Sequence, residues 1–103
     1  MSDVLTRLQQ WYFANCDGDW EHTYGVHIEN IDNPGWLLAV QLTHTYLEAV
    51  AFSEVKVQRA SENDWLQCRV EDREFKGACG PLNLEELLSV FLKWADENIG
   101  SAG

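Results

Sequence analysis

Hydrophobic residues recur at helical spacing near the beginning of the chain. In the stretch DVLTRLQQWYFAN the apolar positions return every three to four residues, which is the period of one face of an α-helix. Ser2 or Asp3 can cap this helix by accepting hydrogen bonds from its first free backbone N–H groups. Gly18 permits a left-handed turn soon after it. The pattern predicts an amphipathic helix over about residues 3 to 15.

The same period is clearer near the other end, in LNLEELLSVFLKWADENIG. Asn83 stands at the cap position, and Glu86 follows three residues later in a spacing close to that of a capping box. Gly100 is the expected end of this second helix. Its apolar face consists of Leu84, Leu87, Leu88, Phe91, Leu92 and Trp94.

Between these helices, apolar and polar residues alternate with the period of β-strands. The alternating runs are TYGVHIENI, GWLLAVQL, SEVKVQRA, WLQCRVE and FKGAC. The SEND turn joins the third and fourth runs into a hairpin, and EDRE forms another turn. The segment THTYLEAVAF fits a bend, a helical turn or an irregular edge strand.

The first two strands are connected through NPGW. Pro34 presets φ for the second position of a type II turn, and Gly35 accepts the positive φ of the third position. Type II turns match strand twist poorly in the tightest hairpins. We therefore expect a wider connection that includes Asp32.

The order of helix, strands and helix predicts one α+β domain over residues 1–103. Its sheet should be mostly antiparallel and meander-like, with about five strands and with both terminal helices packed on one face. The chain length fits a single domain, and no repeat or linker divides it. The side chains expected to be largely buried are Leu5, Leu8, Tyr12, Leu87, Leu88 and Phe91.

The charge balance restricts the partners. The chain carries 17 Asp and Glu residues against 7 Lys and Arg residues, a formal net charge of −10. Nucleic acids and anionic membranes are poor partners, because binding them needs an excess of Lys and Arg. A basic protein or peptide is the favoured partner, and the alternative is that the acidity only maintains solubility.

The expected location is the reducing cytoplasm. No apolar run approaches the roughly 18 to 20 residues of a membrane span, and MSDVLTRLQQ lacks the features of a signal peptide. Cys16, Cys68 and Cys79 are odd in number and without paired spacing, so a disulfide framework is not expected.

The most concentrated chemistry lies in CDGDWEH, over residues 16–22. Asp17, Asp19 and Glu21 occupy the first, third and fifth places of an EF-hand calcium loop. The glycine of the sixth place and the glutamate of the twelfth are missing, so the motif fails. A zinc site built from Cys16, His22 and His27 matches no standard ligand spacing. We predict no metal and no cofactor.

A thiol enzyme is the alternative function. Cys79 precedes a capped helix, whose N–H groups and dipole would favour a thiolate. CGPLNL also suggests the anion-binding loop of a sulfurtransferase, although such loops sit on parallel α/β sheets. Cys16 and Cys68 are interpreted as small buried hydrophobic residues. We predict no catalytic residue, and Cys79 would act only in this alternative.

The tryptophans divide into two groups. Trp11 and Trp94 lie on the predicted helix faces and are expected in the core. Trp20 and Trp36 lie in or beside acidic loops. Each is either a partial cover of the core or an interface anchor surrounded by charge, since tryptophan is enriched at binding hot spots.

Nearly the whole chain resembles a known family. The segment LQQWYFANCDGDWEHTYGVHIENIDNPGW, a strand with Trp-x-x-Cys, and FKGACGPLNLEELLSVFLKWA together resemble the Immunity protein 53 family over about residues 5 to 96. Its members are small bacterial proteins of polymorphic toxin systems, in which each is thought to neutralise a cognate toxin. The resemblance implies a non-enzymatic inhibitor that binds a protein toxin, but it identifies no contact residues.

We assign the toxin-binding surface from local charge alone. From Asp17 to Asp32 the chain holds five carboxylates and no Lys or Arg. An acidic surface suits a basic toxin, possible examples being enzymes that cut nucleic acid. A plain structural subunit of an acidic complex is a third hypothesis. The predicted contact residues are Asp17, Asp19, Trp20, Glu21, His22, Asp32, Asn33 and Trp36.

Overall fold

The computed structural model describes residues 3–99. In chain order the elements are α1 (Val4–Asn15), α2 (Trp20–Thr23), β1 (Val26–Ile31), β2 (Gly35–Gln41), β3 (Val55–Gln58), β4 (Trp65–Glu71), β5 (Glu74–Cys79) and α3 (Leu84–Glu97). All five strands form one antiparallel sheet in the order β1-β2-β5-β4-β3. The predicted α+β architecture is confirmed.

Three of the connections join neighbouring strands, as in a meander. The exception is the segment over residues 42–54, which carries the chain from β2 to β3 at the far edge of the sheet. This segment holds turns but no strand, and it contributes Leu47 to the core. The 43–52 stretch is thus a series of turns closed by backbone hydrogen bonds rather than an edge strand. The two edges of the sheet are β1 and β3.

The cap predicted for α1 is formed, whereas the capping box predicted for α3 is not. Asp3 caps α1 by accepting a 2.7 Å hydrogen bond from the backbone N–H of Leu5, whereas Ser2 lies outside the described residues. Asn83 precedes α3 but forms no side-chain cap bond. Its amide instead donates to the carboxylates of Asp64 and Glu86, so the capping box is not formed. The helix ends at Glu97, and Gly100 lies outside the described residues.

Both terminal helices cover one face of the sheet. α3 packs on β2 and β5, and α1 packs mainly on α3. The aromatic rings of Trp11 and Phe91, one from each helix, meet edge to face with centroids 5.0 Å apart. The sheet residues beneath them point the same way and are fully or nearly fully buried: Leu38, Val40, Leu66, Cys68, Phe75 and Cys79.

The predicted burial is right for α3 and half right for α1. Leu8, Leu87, Leu88 and Phe91 are buried as expected. Leu5 and Tyr12 are not, with exposed fractions of 54% and 38%. The apolar positions of α1 span a wider arc than α3 and the sheet can cover, because β1 lies at the edge and no element continues beyond it.

The connection between β1 and β2 is wider than a tight turn and includes Asp32, as predicted, but it is not a type II turn. It consists of Asp32, Asn33 and Pro34, so it is wider than a two-residue turn, and the Asn33–Pro34 peptide is cis. Gly35 is the first residue of β2, and within residues 3–99 Gly18 is the glycine that has a positive φ. The type II turn is therefore wrong. Gly35 is instead required by space, since a Cβ there would lie 2.2 Å from the carbonyl oxygen of Cys79.

Over residues 3–99, every helix is too short or too polar to cross a bilayer. Cys16, Cys68 and Cys79 are all free thiols.

Candidate functional site

The CDGDWEH segment is a loop held by its own carboxylates. One oxygen of Asp17 accepts the backbone N–H groups of Asp19 and Trp20, each at 2.9 Å. Glu21 reaches back to the N–H groups of Asp17 and Gly18 at 3.0 Å and 2.9 Å. The bonds from Trp20 and Asp19 favour the ionised form of the Asp17 carboxyl and lower its pKa. The pKa of the Glu21 carboxyl is lowered first by its own backbone N–H and then by the N–H groups of Asp17 and Gly18. Asp17 and Glu21 thus hold the backbone of the loop in place in addition to giving it negative charge.

Trp20 belongs to the core. Its side chain is 3% exposed and lies among the rings of Trp11, Tyr12 and Tyr24. Its indole N–H donates a 2.9 Å hydrogen bond to the carbonyl oxygen of Thr43. Because the ring is already enclosed and its polar atom satisfied, Trp20 covers the core and has little surface left to offer a partner.

Trp36 is half buried on the helix-covered face of β2. Its indole N–H donates to the carbonyl oxygen of Pro81 at 3.1 Å. This bond links the beginning of β2 to the segment that leads into α3. Both tryptophans near the acidic motifs thus tie loops to the body of the domain.

The two acidic motifs lie apart. α2 precedes β1 and the 32–34 turn follows it, so they stand at opposite ends of a strand about 17 Å long. At the α2 end, Asp17, Asp19 and His22 share a depression of about 650 Å³ with His44 from the β2–β3 segment. Asp32 and Asn33 are exposed at the other end. The structure therefore brings together only the first group of predicted contact residues.

Carboxylates without a Lys or Arg partner are more frequent over residues 3–41, which hold six of them, than over residues 42–99, which hold four. No Lys or Arg occurs between Leu8 and Val55. Elsewhere, six of the seven basic side chains already contact carboxylates of the chain itself. Within residues 3–99, ten carboxylates have no Lys or Arg partner: Asp3, Asp17, Asp19, Glu21, Glu29, Asp32, Glu62, Asp72, Glu85 and Glu97.

A groove between α1 and β1 was missed by the sequence analysis. It has a volume of about 400 Å³ and is lined by Leu8, Tyr12, Tyr24 and Val26 among others. Ile28, the next residue on the same face of β1, is also partly exposed. The apolar spacing of α1 predicts a buried face and does not show that part of this face stays exposed. Only the edge position of β1 makes this flank accessible.

The candidate metal and thiol sites gain no support from the geometry. Among the described residues, no three His, Cys, Asp or Glu side chains lie close enough to hold a metal ion. Cys79 is fully buried at the end of β5, and burial raises the pKa of its thiol. Burial likewise raises the pKa of Cys68 to about 12. Such thiols are poor nucleophiles, and the sheet that carries them is antiparallel.

Comparison with protein families decides the general identity of the chain. The family model described as Immunity protein 53 matches residues 5–96. The chain belongs to the Immunity protein 53 family. The match covers the complete sheet and all of α1 and α3 except Val4 and Glu97, and it includes the CDGDWEH and DNPGW motifs. No match was found among curated proteins or among solved structures. Membership of this family supports an immunity function in general.

Proposed function

We propose that this Immunity protein 53 family member neutralises a cognate protein toxin by binding it, without catalysis of its own. The observation that carries the proposal, beside family membership, is the uncompensated charge. Because most of its basic side chains are engaged internally, the protein presents a surface dominated by free carboxylates. A basic toxin domain is the partner that such a surface attracts.

The contact surface in this proposal follows β1 from end to end. Asp19 and His22 lie at one end, Glu29 in the middle, and Asp32 and Asn33 at the other, all exposed. A standard protein interface covers about 800 Å² on each partner, which is wide enough to span the whole strand. The two acidic motifs can therefore contact one toxin even though they do not touch each other.

The remaining predicted residues act through these exposed groups. Asp17 and Glu21 hold the backbone that presents Asp19 and His22. Trp20 and Trp36 fix the two loops to the core through their indole N–H groups. In this division of roles, the carboxylates at the surface accelerate encounter, and the loops keep them in place.

A nuclease is one toxin class that suits this surface. An enzyme that cuts nucleic acid needs basic side chains on its substrate face, because its substrate is a polyanion. An inhibitor rich in free carboxylates can occupy that face in place of the phosphates and exclude the substrate. The same charge argument applies to any toxin with a basic face.

The experiment that tests the proposal is co-expression with the toxin domain encoded beside this gene, scored by growth. We expect wild-type protein to restore growth and the two purified components to form a stable complex. Cys79→Ala should protect equally well, which separates inhibition by binding from a thiol-dependent activity. A complex formed from these two components alone also excludes a role as a subunit that requires other proteins. Absence of both protection and complex formation would overturn the proposal.

A further inference from the structure

The outer edge of β1 has unpaired backbone groups. The backbone N–H of Gln41 donates to the carbonyl oxygen of Gly25 at 3.0 Å, which makes these two residues a hydrogen-bonded pair of the β1–β2 ladder. Hydrogen-bonded pairs alternate along an antiparallel ladder. In the same register, the N–H and C=O groups of Val26, Ile28 and Asn30 therefore point away from β2. Over residues 3–99, no backbone group bonds to this outward edge.

The two faces of β1 differ in chemistry. On the helix side, Val26 lines the groove whose opposite wall is formed by Leu8 and Tyr12 of α1, and the exposed Ile28 follows Val26 on the same face of β1. On the open side of the sheet, Glu29 is exposed and has no cationic partner within residues 3–99. A strand added beside β1 would thus meet an apolar surface on one face and a carboxylate on the other.

Natural edge strands are commonly protected by lysine, proline or a covering element. β1 has none of these over Val26–Ile31, and its exposed Ile28 and free edge are typical of a template for strand addition. No Lys or Arg occurs between Leu8 and Val55, so the charge of this region favours the addition of a basic strand. A second copy of this chain would place the same acidic segments against each other, and like charges oppose that pairing.

We propose that an extended, basic segment of the toxin adds to the outer edge of β1 as a sixth strand. On one face of this strand, apolar side chains would fill the groove between Tyr12 and Val26 and cover the exposed Ile28. On its other face, Lys or Arg would face Glu29. This mode of recognition draws affinity from main-chain hydrogen bonds and specificity from alternate side chains. The inference rests on the proposed function and defines how the toxin is held.

The test compares two substitutions at one exposed position. Asn30→Pro removes an outward-facing N–H but no bond of the β1–β2 ladder, and proline is tolerated on edge strands. Asn30→Ala removes the same side chain and keeps the N–H. With the purified toxin domain encoded beside this gene, we expect Asn30→Pro to weaken binding by about tenfold or more and Asn30→Ala to stay within about threefold.

Backbone hydrogen exchange provides a second measurement that needs no variant. In the wild-type complex, the amides of Val26, Ile28 and Asn30 should become protected relative to the free protein. Equal affinity of folded Asn30→Pro and Asn30→Ala, or a complex in which these amides stay unprotected, would overturn the added strand while leaving toxin binding intact. Protection of the same amides in the free protein through dimerisation would assign the edge to a second copy instead. Failure of the wild type to bind the toxin at all would overturn the proposed function together with this inference.

Discussion

The indole N–H of Trp20 donates a 2.9 Å hydrogen bond to the carbonyl oxygen of Thr43. This bond joins the acidic loop to the β2–β3 segment across 23 positions of sequence. Trp20→Phe should lower the free energy of unfolding by about 1 kcal/mol or more, because the carbonyl loses its partner. Trp20→Ala should lower it by about 3 to 5 kcal/mol, because a large core side chain is removed. Chemical denaturation measures both. A Trp20→Ala variant as stable as wild type would contradict the core position.

Gly35 allows β2 to lie close to the end of β5. A Cβ at this position would stand 2.2 Å from the backbone oxygen of Cys79, so even Gly35→Ala forces the two strands apart. We expect Gly35→Ala to cost about 2 kcal/mol or more, and Gly35→Val to cost more still. The control is Gly25→Ala, where a Cβ would meet nothing within 4 Å. Similar denaturation midpoints for the Gly35 and Gly25 variants would show that this close approach is wrong.

The carboxylates of Asp17 and Glu21 make the loop sensitive to acid. Their pKa values are lowered in the folded protein by backbone hydrogen bonds, so the unfolded chain binds protons first as the pH falls. The stability that they contribute is therefore complete at neutral pH. It is lost as the pH falls through their ordinary pKa values of 3.8 and 4.5 and then through the lower folded values.

Asp17→Asn combined with Glu21→Gln should flatten this acid dependence, as measured by denaturation at a series of pH values. Asp19→Asn is the matched control, because the Asp19 side chain accepts no hydrogen bond from the described residues. An acid profile unchanged by the double substitution, or changed equally by the control, would refute the structural role of Asp17 and Glu21.

The side-chain amide of Asn83 bridges two carboxylates at the beginning of α3. Its amide donates to Asp64 at 3.0 Å and to Glu86 at 3.2 Å, and Arg59 contacts both acids from the other side. Asn83→Asp replaces the donor with a third carboxylate, so we expect a loss of about 2 to 3 kcal/mol at neutral pH. Like-charge repulsion would raise the pKa of the new carboxyl, so the loss should shrink as the pH is lowered and that group takes up its proton.

The control for this change is Asn63→Asp, which adds the same charge at an exposed position of the β3–β4 loop. It should alter the free energy of unfolding by no more than about 0.5 kcal/mol. If Asn83→Asp were as stable as Asn63→Asp at neutral pH, the hydrogen bonds from the Asn83 amide would contribute nothing to the free energy of unfolding.

Charge reversal along β1 tests the acidic contact surface. Asp19→Lys with Asp32→Lys should lower the association rate with the toxin by about tenfold or more at low salt and weaken its dependence on ionic strength. Neither side chain has an ion-pair partner within residues 3–99, so folding should be preserved. Stopped-flow mixing at several salt concentrations gives the rates.

The matched control is Glu62→Lys with Glu97→Lys. It changes the net charge by the same amount on side chains remote from β1, in the β3–β4 loop and at the end of α3. A rate reduction as large in this control as in the Asp19 and Asp32 variant would show that only total charge matters. No reduction in either variant would exclude this surface.

The sequence by itself determined the two long helices and the strands of the sheet. Helical spacing predicted α1 and α3, and alternation predicted the five strands. These features depend on neighbours a few positions apart, which the sequence displays directly. The resemblance carried by CDGDWEH and DNPGW also predicted the family that the family model then established.

Only the tertiary structure decided which residues are buried, which stay exposed and which positions have no space for a side chain. The covering of α1 depends on which strand lies beside it, so the exposure of Tyr12 could not follow from helical spacing. The burial of Trp20 depends on the distant carbonyl of Thr43, and the need for glycine at position 35 depends on Cys79. Such contacts join positions far apart in the chain, and periodicity contains no information about them. The physical reason is that packing is settled by the whole fold, whereas the period of a pattern is settled within a few residues.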